Sequence, residues 1–179
     1  MSTTVYLGVG SNLNRENALR FAVAKLKANL DDFKQSSIYI SHAVRNGEPD
    51  YYNMVVGGTT SLNLNGFYAL ISRIEVDAGR EVMLHNGTNF GMKRRLDIDI
   101  LAFGKEVTVE PCRIPRHDIQ DYPFVTCPLS EIAPDFEHPL LNIKVKDLWE
   151  EMEPHLPDNK KVTKTVIDFK VPAPQWPDK

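Results

Sequence analysis

The apolar positions of the chain fall into two alternating rhythms. Thr4–Gly10 (TVYLGVG) is short, β-branched and apolar, and predicts a buried strand. Ser11, Asn12 and Asn14 then offer N-caps to RENALRFAVAKLKANL, where Ala18, Phe21, Ala22, Leu26 and Leu30 recur at helical spacing. A second strand is expected over Lys34–Val44, a polar loop with a glycine and a proline over Arg45–Asp50, and a third strand over Tyr51–Ser61. Phe67, Leu70, Ile71 and Ile74 form the stripe of a helix from about Leu64 to Ala78, with Gly79 where a C-cap belongs. Arg80–Arg94 reads as a long, basic, glycine-containing loop, and a strand follows in KRRLDIDILAFG. The order β-α-β-β-α-β predicts an α+β, ferredoxin-like sandwich with helices on one sheet face and the other face open.

Beyond this the pattern is less regular. Val107–Pro139 is proline-rich and predicts a strand pair or short helices, and KVKDLWEEM predicts another short helix. Residues 1–153 are expected to form one domain. Residues 154–179 are expected to be a C-terminal extension, with an edge strand within Val162–Phe169 and a mobile tail of about eight residues.

Charge and composition narrow the function. The 179 residues carry a formal net charge of -3, so no basic field draws the chain to nucleic acid or anionic membrane. No run approaches the roughly 20 apolar residues of a membrane span, and the first residues lack the features of a signal peptide. The cytosol is therefore the expected compartment. Cys112 and Cys127 are expected to be reduced and structural.

The chemistry concentrates in the acidic strand. Alternation turns Leu96, Ile98, Ile100 and Ala102 one way and Asp97, Asp99 and Leu101 the other. The two carboxylates then share a face, their Cα atoms roughly 6.6 Å apart at about 3.3 Å per residue. Like charges at that range call for a divalent cation or an arginine between them; a solvated acidic face is the bland alternative. Arg80, Lys93, Arg94, Arg95, Arg113 and Arg116 supply positive charge nearby in sequence. GVGSNL lacks the third glycine of a dinucleotide fingerprint and reads as a tight turn and cap. The histidines show no zinc spacing. An open sheet face could bind RNA, but its central strand is acidic where phosphate would pass.

Several fragments occur in a telling order: GSNL, PDYYN, RIE with a following GR, R-x-L-D-I-D-I-L-x-F-G, and IPRHD with a following F and PLSEIAPD. Together, over roughly Val5–Pro139, they resemble the 6-hydroxymethyl-7,8-dihydropterin pyrophosphokinases of folate biosynthesis. The resemblance implies a ferredoxin-like fold and transfer of the β,γ-diphosphate of ATP to the pterin hydroxymethyl group, releasing AMP. It implies that Asp97 and Asp99 hold two Mg²⁺ ions, that Tyr51, Asn53, Phe90 and Phe124 bind pterin, and that Arg80 and Arg94 grip the transferring phosphates. Ile100, Arg116 and His117 would lie on the ATP side. Glu75 occupies an acidic family position, where it could orient a metal-bound water or form a helix-surface salt bridge. The substrates implied are small molecules, with neither nucleic acid nor membrane as partner.

The chain departs from the family pattern in its arms. The aromatic-Gly-Pro-Arg run before the acidic strand is replaced by NFGMKRR, a second arginine expected after Arg80 is Val82, and one expected before Phe124 is replaced by Tyr122 or absent. The alternatives are a family member that binds pterin with little transfer, and an unrelated ferredoxin-like binding module in which the aspartates are only a polar face.

Overall fold

The computed structural model describes residues 1–43, 47–85 and 87–178, the side chains of His85 and Phe90 excepted. The chain folds as a ferredoxin-like α+β sandwich. Its strands are β1 (Thr3–Ser11), β2 (Asp31–Gln35), β3 (Ile38–Ser41), β4 (Tyr51–Thr60) and, later, β7 (Asp97–Phe103) and β8 (Thr163–Thr165). They form one sheet in the order β7-β1-β4-β3-β8, with β2 also paired to β4. Helices α1 (Arg15–Asn29) and α2 (Leu64–Ala78) follow β1 and β4. Their stripes pack on Val5, Leu7, Val9, Met54, Ile98 and Ile100 to make the main core. Gly79 ends α2 at φ 76°, a backbone region that glycine enters at little cost.

The second sheet face is not open. Asp118–Asp121 forms α3, Pro123–Ile132 forms α4 and Val145–Met152 forms α5; together they bury Val55 and Leu101 in a second cluster of Ile119, Val125, Leu129, Ala133 and Val145. PLSEIAP is thus largely a packing motif, and its Glu131 is a clamp. The carboxylate accepts from the Ser37 amide at 2.9 Å and the Tyr39 hydroxyl at 2.7 Å, tying β3 to α4.

Other departures from the sequence reading have local causes. The second predicted strand splits at Ser36, whose hydroxyl takes over a ladder position by accepting from the Val55 amide at 2.9 Å. Gly8 and Gly10 lie inside β1, paired with Asp99 and Asp97, and not in a turn. The loop expected before the acidic strand is an antiparallel hairpin, β5 (Arg80–His85) with β6 (Thr88–Arg94), separate from the main sheet. Its sequence signal is the Asn86-Gly87 dipeptide between alternating apolar residues; Gly87 has φ 77°. A register shift at Tyr6/Leu7 leaves Leu101 without a ladder partner. As a result Phe103, not Ala102, joins the helix-side core, tilted against Phe67.

The C-terminal residues are docked. Only Thr163–Thr165 of the expected edge strand pairs, with β3. Trp176 is 7 % exposed and its ring lies 5.2 Å from that of Phe21 on α1. Among the described residues no helix is long and apolar enough to cross a membrane.

Candidate active site

The acidic strand lies at the sheet edge, and β1 runs beside it with no side chain at the facing positions. Gly8 opposes Asp99 and Gly10 opposes Asp97, so the carboxylates border open space. Two cavities meet there. One, of about 380 Å³, is lined by Gly10, Tyr51, Asn53, Phe124 and both aspartates. The other, of about 340 Å³, is lined by Glu75, Arg94, Ile100, Arg116 and the same two aspartates.

The first cavity is built on regular structure. Asn53 is 7 % exposed. Its amide nitrogen donates to the Tyr39 carbonyl at 3.2 Å and the Ser41 hydroxyl at 2.8 Å. A carbonyl only accepts, so this amide orientation is settled by chemistry. Oδ1 is left as a fixed acceptor, and a Cβ on Gly10 would come within 3.3 Å of it. Toward the cavity Asn53 therefore accepts; it does not also donate, as a free amide would. The Ser41 hydroxyl accepts from Asn53 and donates to no partner among the described residues. Phe124 forms an aromatic wall, stacked on Tyr122 with ring centroids 5.2 Å apart and planes 16° from parallel. The Phe90 side chain, the last residue of the expected Lys34–Val44 strand, and residues 45 and 46 of the expected Arg45–Asp50 loop lie outside the described residues.

The second cavity is held by charge. Arg94 reaches Glu75 at 3.7 Å, and Glu75 also accepts from the Ile98 amide at 2.9 Å. Arg116 sits between Asp99 at 3.7 Å and Asp118 at 3.4 Å. Its Nε is buried with no hydrogen-bond partner among the described residues. Arg80 and Arg94 are directly opposed on the hairpin, both exposed. Like charges so placed destabilise a strand pair, and a bound polyanion would relieve that. Burial raises the pKa of Asp97, whereas Arg94 and Lys93 lower it. Burial raises that of Asp99 too, Arg116 opposing it while Asp118 and Asp97 add to it. Glu75 is likewise raised, chiefly by burial.

Three residues expected from the sequence have other surroundings. His117 lines neither cavity; its ring meets the Arg113 guanidinium. Arg95, which strand alternation would put on the Asp97 face, does not lie there. It turns to the helix side, donating to Glu81 at 3.0 Å, Asp178 at 3.1 Å and the Ala78 carbonyl at 3.1 Å, with its guanidinium 4.6 Å above the Trp176 ring. Lys93 donates to the Tyr51 hydroxyl and to Glu48. The sequence reading missed Gly8, Gly10, Ser41 and Tyr122. Alternation beside the acidic strand could have indicated the glycines; nothing local indicates Ser41 or Tyr122.

Comparison with known proteins adds to this geometry. The family model described as 7,8-dihydro-6-hydroxymethylpterin-pyrophosphokinase matches residues 6–134. A 2-amino-4-hydroxy-6-hydroxymethyldihydropteridine pyrophosphokinase of Aquifex aeolicus is 31 % identical over 147 residues, covering 80 % of this chain and 89 % of that protein. The like-named protein of Haemophilus influenzae is 34 % identical over 141 residues, covering 76 % of this chain and 85 % of that one. Among solved structures, a Plasmodium falciparum HPPK-DHPS matches with a TM-score of 0.71 at 14 % identity, a likeness of fold. It covers 92 % of this chain, which spans about half (49 %) of the Plasmodium one.

Proposed function

This chain belongs to the 7,8-dihydro-6-hydroxymethylpterin-pyrophosphokinase family, and on that premise we propose that it transfers diphosphate from ATP to the hydroxymethyl group of 6-hydroxymethyl-7,8-dihydropterin. The pterin hydroxyl oxygen attacks the β-phosphorus, the bond from that phosphorus to the α–β bridging oxygen breaks, and AMP and a proton leave. The observation that carries this reading is the meeting of two unlike cavities at Asp97 and Asp99. One suits a flat heteroaromatic ring and the other a polyphosphate, and the reacting atoms would meet at their junction.

Each side has a chemical rationale. Asn53 Oδ1 is a preset acceptor for the amino and ring N–H groups of a pterin, and Phe124 offers a face for stacking. Arg94, Arg80 and Arg116 supply charge for the phosphates, with Ile100 along the nucleotide side. In-line transfer asks the protein for positioning and charge neutralisation, not for a nucleophile. The two carboxylates, facing a glycine-lined gap, are the residues that would hold Mg²⁺. Among the described residues no cluster of three ligating side chains offers an all-protein cage. When bound there, Mg²⁺ would neutralise phosphate charge and polarise the hydroxyl. Arg116 would then exchange its contact with Asp99 for the nucleotide.

The test is calorimetric titration with the pterin and with a non-hydrolysable ATP analogue, with and without Mg²⁺, alongside an assay of AMP release. Binding of both, with the nucleotide requiring Mg²⁺, and release of AMP are expected. Pterin binding without AMP release would reduce the protein to a binder; binding of neither would remove the reading.

A further inference from the structure

The β5–β6 hairpin makes no strand pairing with the main sheet, yet one of its side chains reaches the cavity wall. Lys93 Nζ donates to the Tyr51 hydroxyl at 2.7 Å and lies 3.1 Å from Glu48 Oε2. It also sits 4.9 Å from the centre of the Tyr51 ring. Glu48 is held in turn. Asn12, 2 % exposed at the end of β1, approaches Glu48 at 3.4 Å and donates to the Pro49 carbonyl at 3.2 Å. The side chains of Lys93 and Glu48 are only 26 % and 14 % exposed, so this is not a fully solvated surface pair. Burial would lower the Lys93 pKa, but the hydrogen bonds to Tyr51 and Glu48 outweigh it and hold the ammonium charged.

Two consequences follow from donor chemistry and strand geometry. An ammonium only donates, so the Tyr51 oxygen accepts from it and the Tyr51 proton must point elsewhere. Tyr51 lines the cavity, which offers that proton a direction toward bound substrate. Lys93 is also the neighbour of Arg94 on β6, and adjacent strand residues face opposite sides. One reaches the ring-binding wall while the other lines the charged cleft.

We propose that Lys93 is a positioning residue: held by Glu48, it fixes the Tyr51 hydroxyl as a donor into the cavity. The proposal rests on the pterin reading of that cavity. Recognition there would pair a preset donor, Tyr51, with a preset acceptor, Asn53 Oδ1. A ring ligand presenting an acceptor to the first and a donor to the second is selected.

The test is a double-mutant cycle on pterin affinity, using Lys93→Met, Tyr51→Phe and the double variant, with Lys93→Arg as the conservative replacement. Lys93→Met should raise the pterin Kd about tenfold, as should Tyr51→Phe, and the double variant should be no worse than either, because both remove one donor. The Kd of the non-hydrolysable ATP analogue, measured without pterin, should not change, which a general loosening of the fold would not allow. Lys93→Arg should recover part of the pterin affinity. If the wild-type protein binds pterin while Lys93→Met binds it equally well, or if the two losses multiply, the positioning role is overturned. If the wild-type protein binds no pterin, the functional reading itself falls, and the role of Lys93 with it.

Discussion

The two cavities that share Asp97 and Asp99 are built by different means. The wall around Asn53 stands on β1, β3 and β4, and the Asn53 amide is fixed by donating both its hydrogens within the sheet. The wall around Arg94 and Arg116 consists of charged side chains lent to one another: Arg94 to Glu75, Arg116 to Asp99 and Asp118. A site that recognises a rigid ring gains from being preformed, since ordering on binding costs affinity. A site for a flexible polyanion can keep its cations in provisional ion pairs and exchange them when the ligand arrives.

The largest effect should come from the shared ridge, where the comparison breaks down because both sides depend on it. Asp97→Asn and Asp99→Asn should each lower turnover on the order of 10³-fold with an unchanged far-ultraviolet circular dichroism spectrum. Near-normal turnover at saturating Mg²⁺ would dispose of the metal assignment.

Next come the charged side's own Arg94 and Arg116, with Arg80, which opposes Arg94 on the hairpin. Arg94→Ala, Arg80→Ala and Arg116→Ala should each lower single-turnover AMP release by about 10²-fold, while pterin affinity stays within twofold. Arg95→Ala sharpens the contrast one residue along the chain. Arg95 is taken up by Glu81, Asp178 and Trp176, so its loss should cost about 1–3 kcal/mol of stability, read as a lower Tm, and little turnover. Severe kinetic loss in Arg95→Ala with Arg94→Ala mild would reverse the assignment of the two arginines.

On the preformed side, Asn53→Ala should weaken pterin binding by about 1–3 kcal/mol and lower the Tm, because the Tyr39 carbonyl loses a buried partner. Affinity for the ATP analogue should hold. Equal weakening of both ligands would mean that the two walls are not separable.

The smallest effect is on the stability of the metal-free protein. Burial raises the pKa of Asp97, Asp99 and Glu75 above ordinary carboxylate values. A carboxyl with a higher pKa folded than unfolded costs stability as pH rises from its unfolded toward its folded value, and restores it on acidification. Asp99→Asn should therefore raise the Tm at pH 7, and only slightly, because water reaches the 45 % exposed Asp99 side chain and screens its charge. The gain should shrink below the ordinary carboxylate range. Differences between variant and wild type are the quantity to follow, since Glu131, with a lowered pKa, acts in the opposite sense as pH falls.

How much of this was legible in the chain depended on range. Helix α2 was readable to its ends, because Phe67, Ile71 and Ile74 repeat at helical spacing and Gly79 punctuates them. The shared face of Asp97 and Asp99 was readable from alternation alone. Asn86-Gly87 marks the hairpin, but the basic residues and glycines around it have the composition of a loop. The covering of the second sheet face was not readable, since Val125 and Leu129 name no particular surface until Val55 and Leu101 are presented to them.

By itself the sequence determined the periodic elements, their ferredoxin-like order and the paired carboxylates, because these rest on spacings of two to four residues that backbone geometry imposes. Only the tertiary structure decided what each charge is for. Arg94 and Arg95 are neighbours of identical chemistry, and Lys93 precedes them. Yet one lines a cleft, one clasps the C-terminal residues and one holds Tyr51. A side chain's role is set by the partner that folding brings to it. Here Glu75, Trp176 and Glu48 come from distant stretches of chain whose meeting no local pattern encodes.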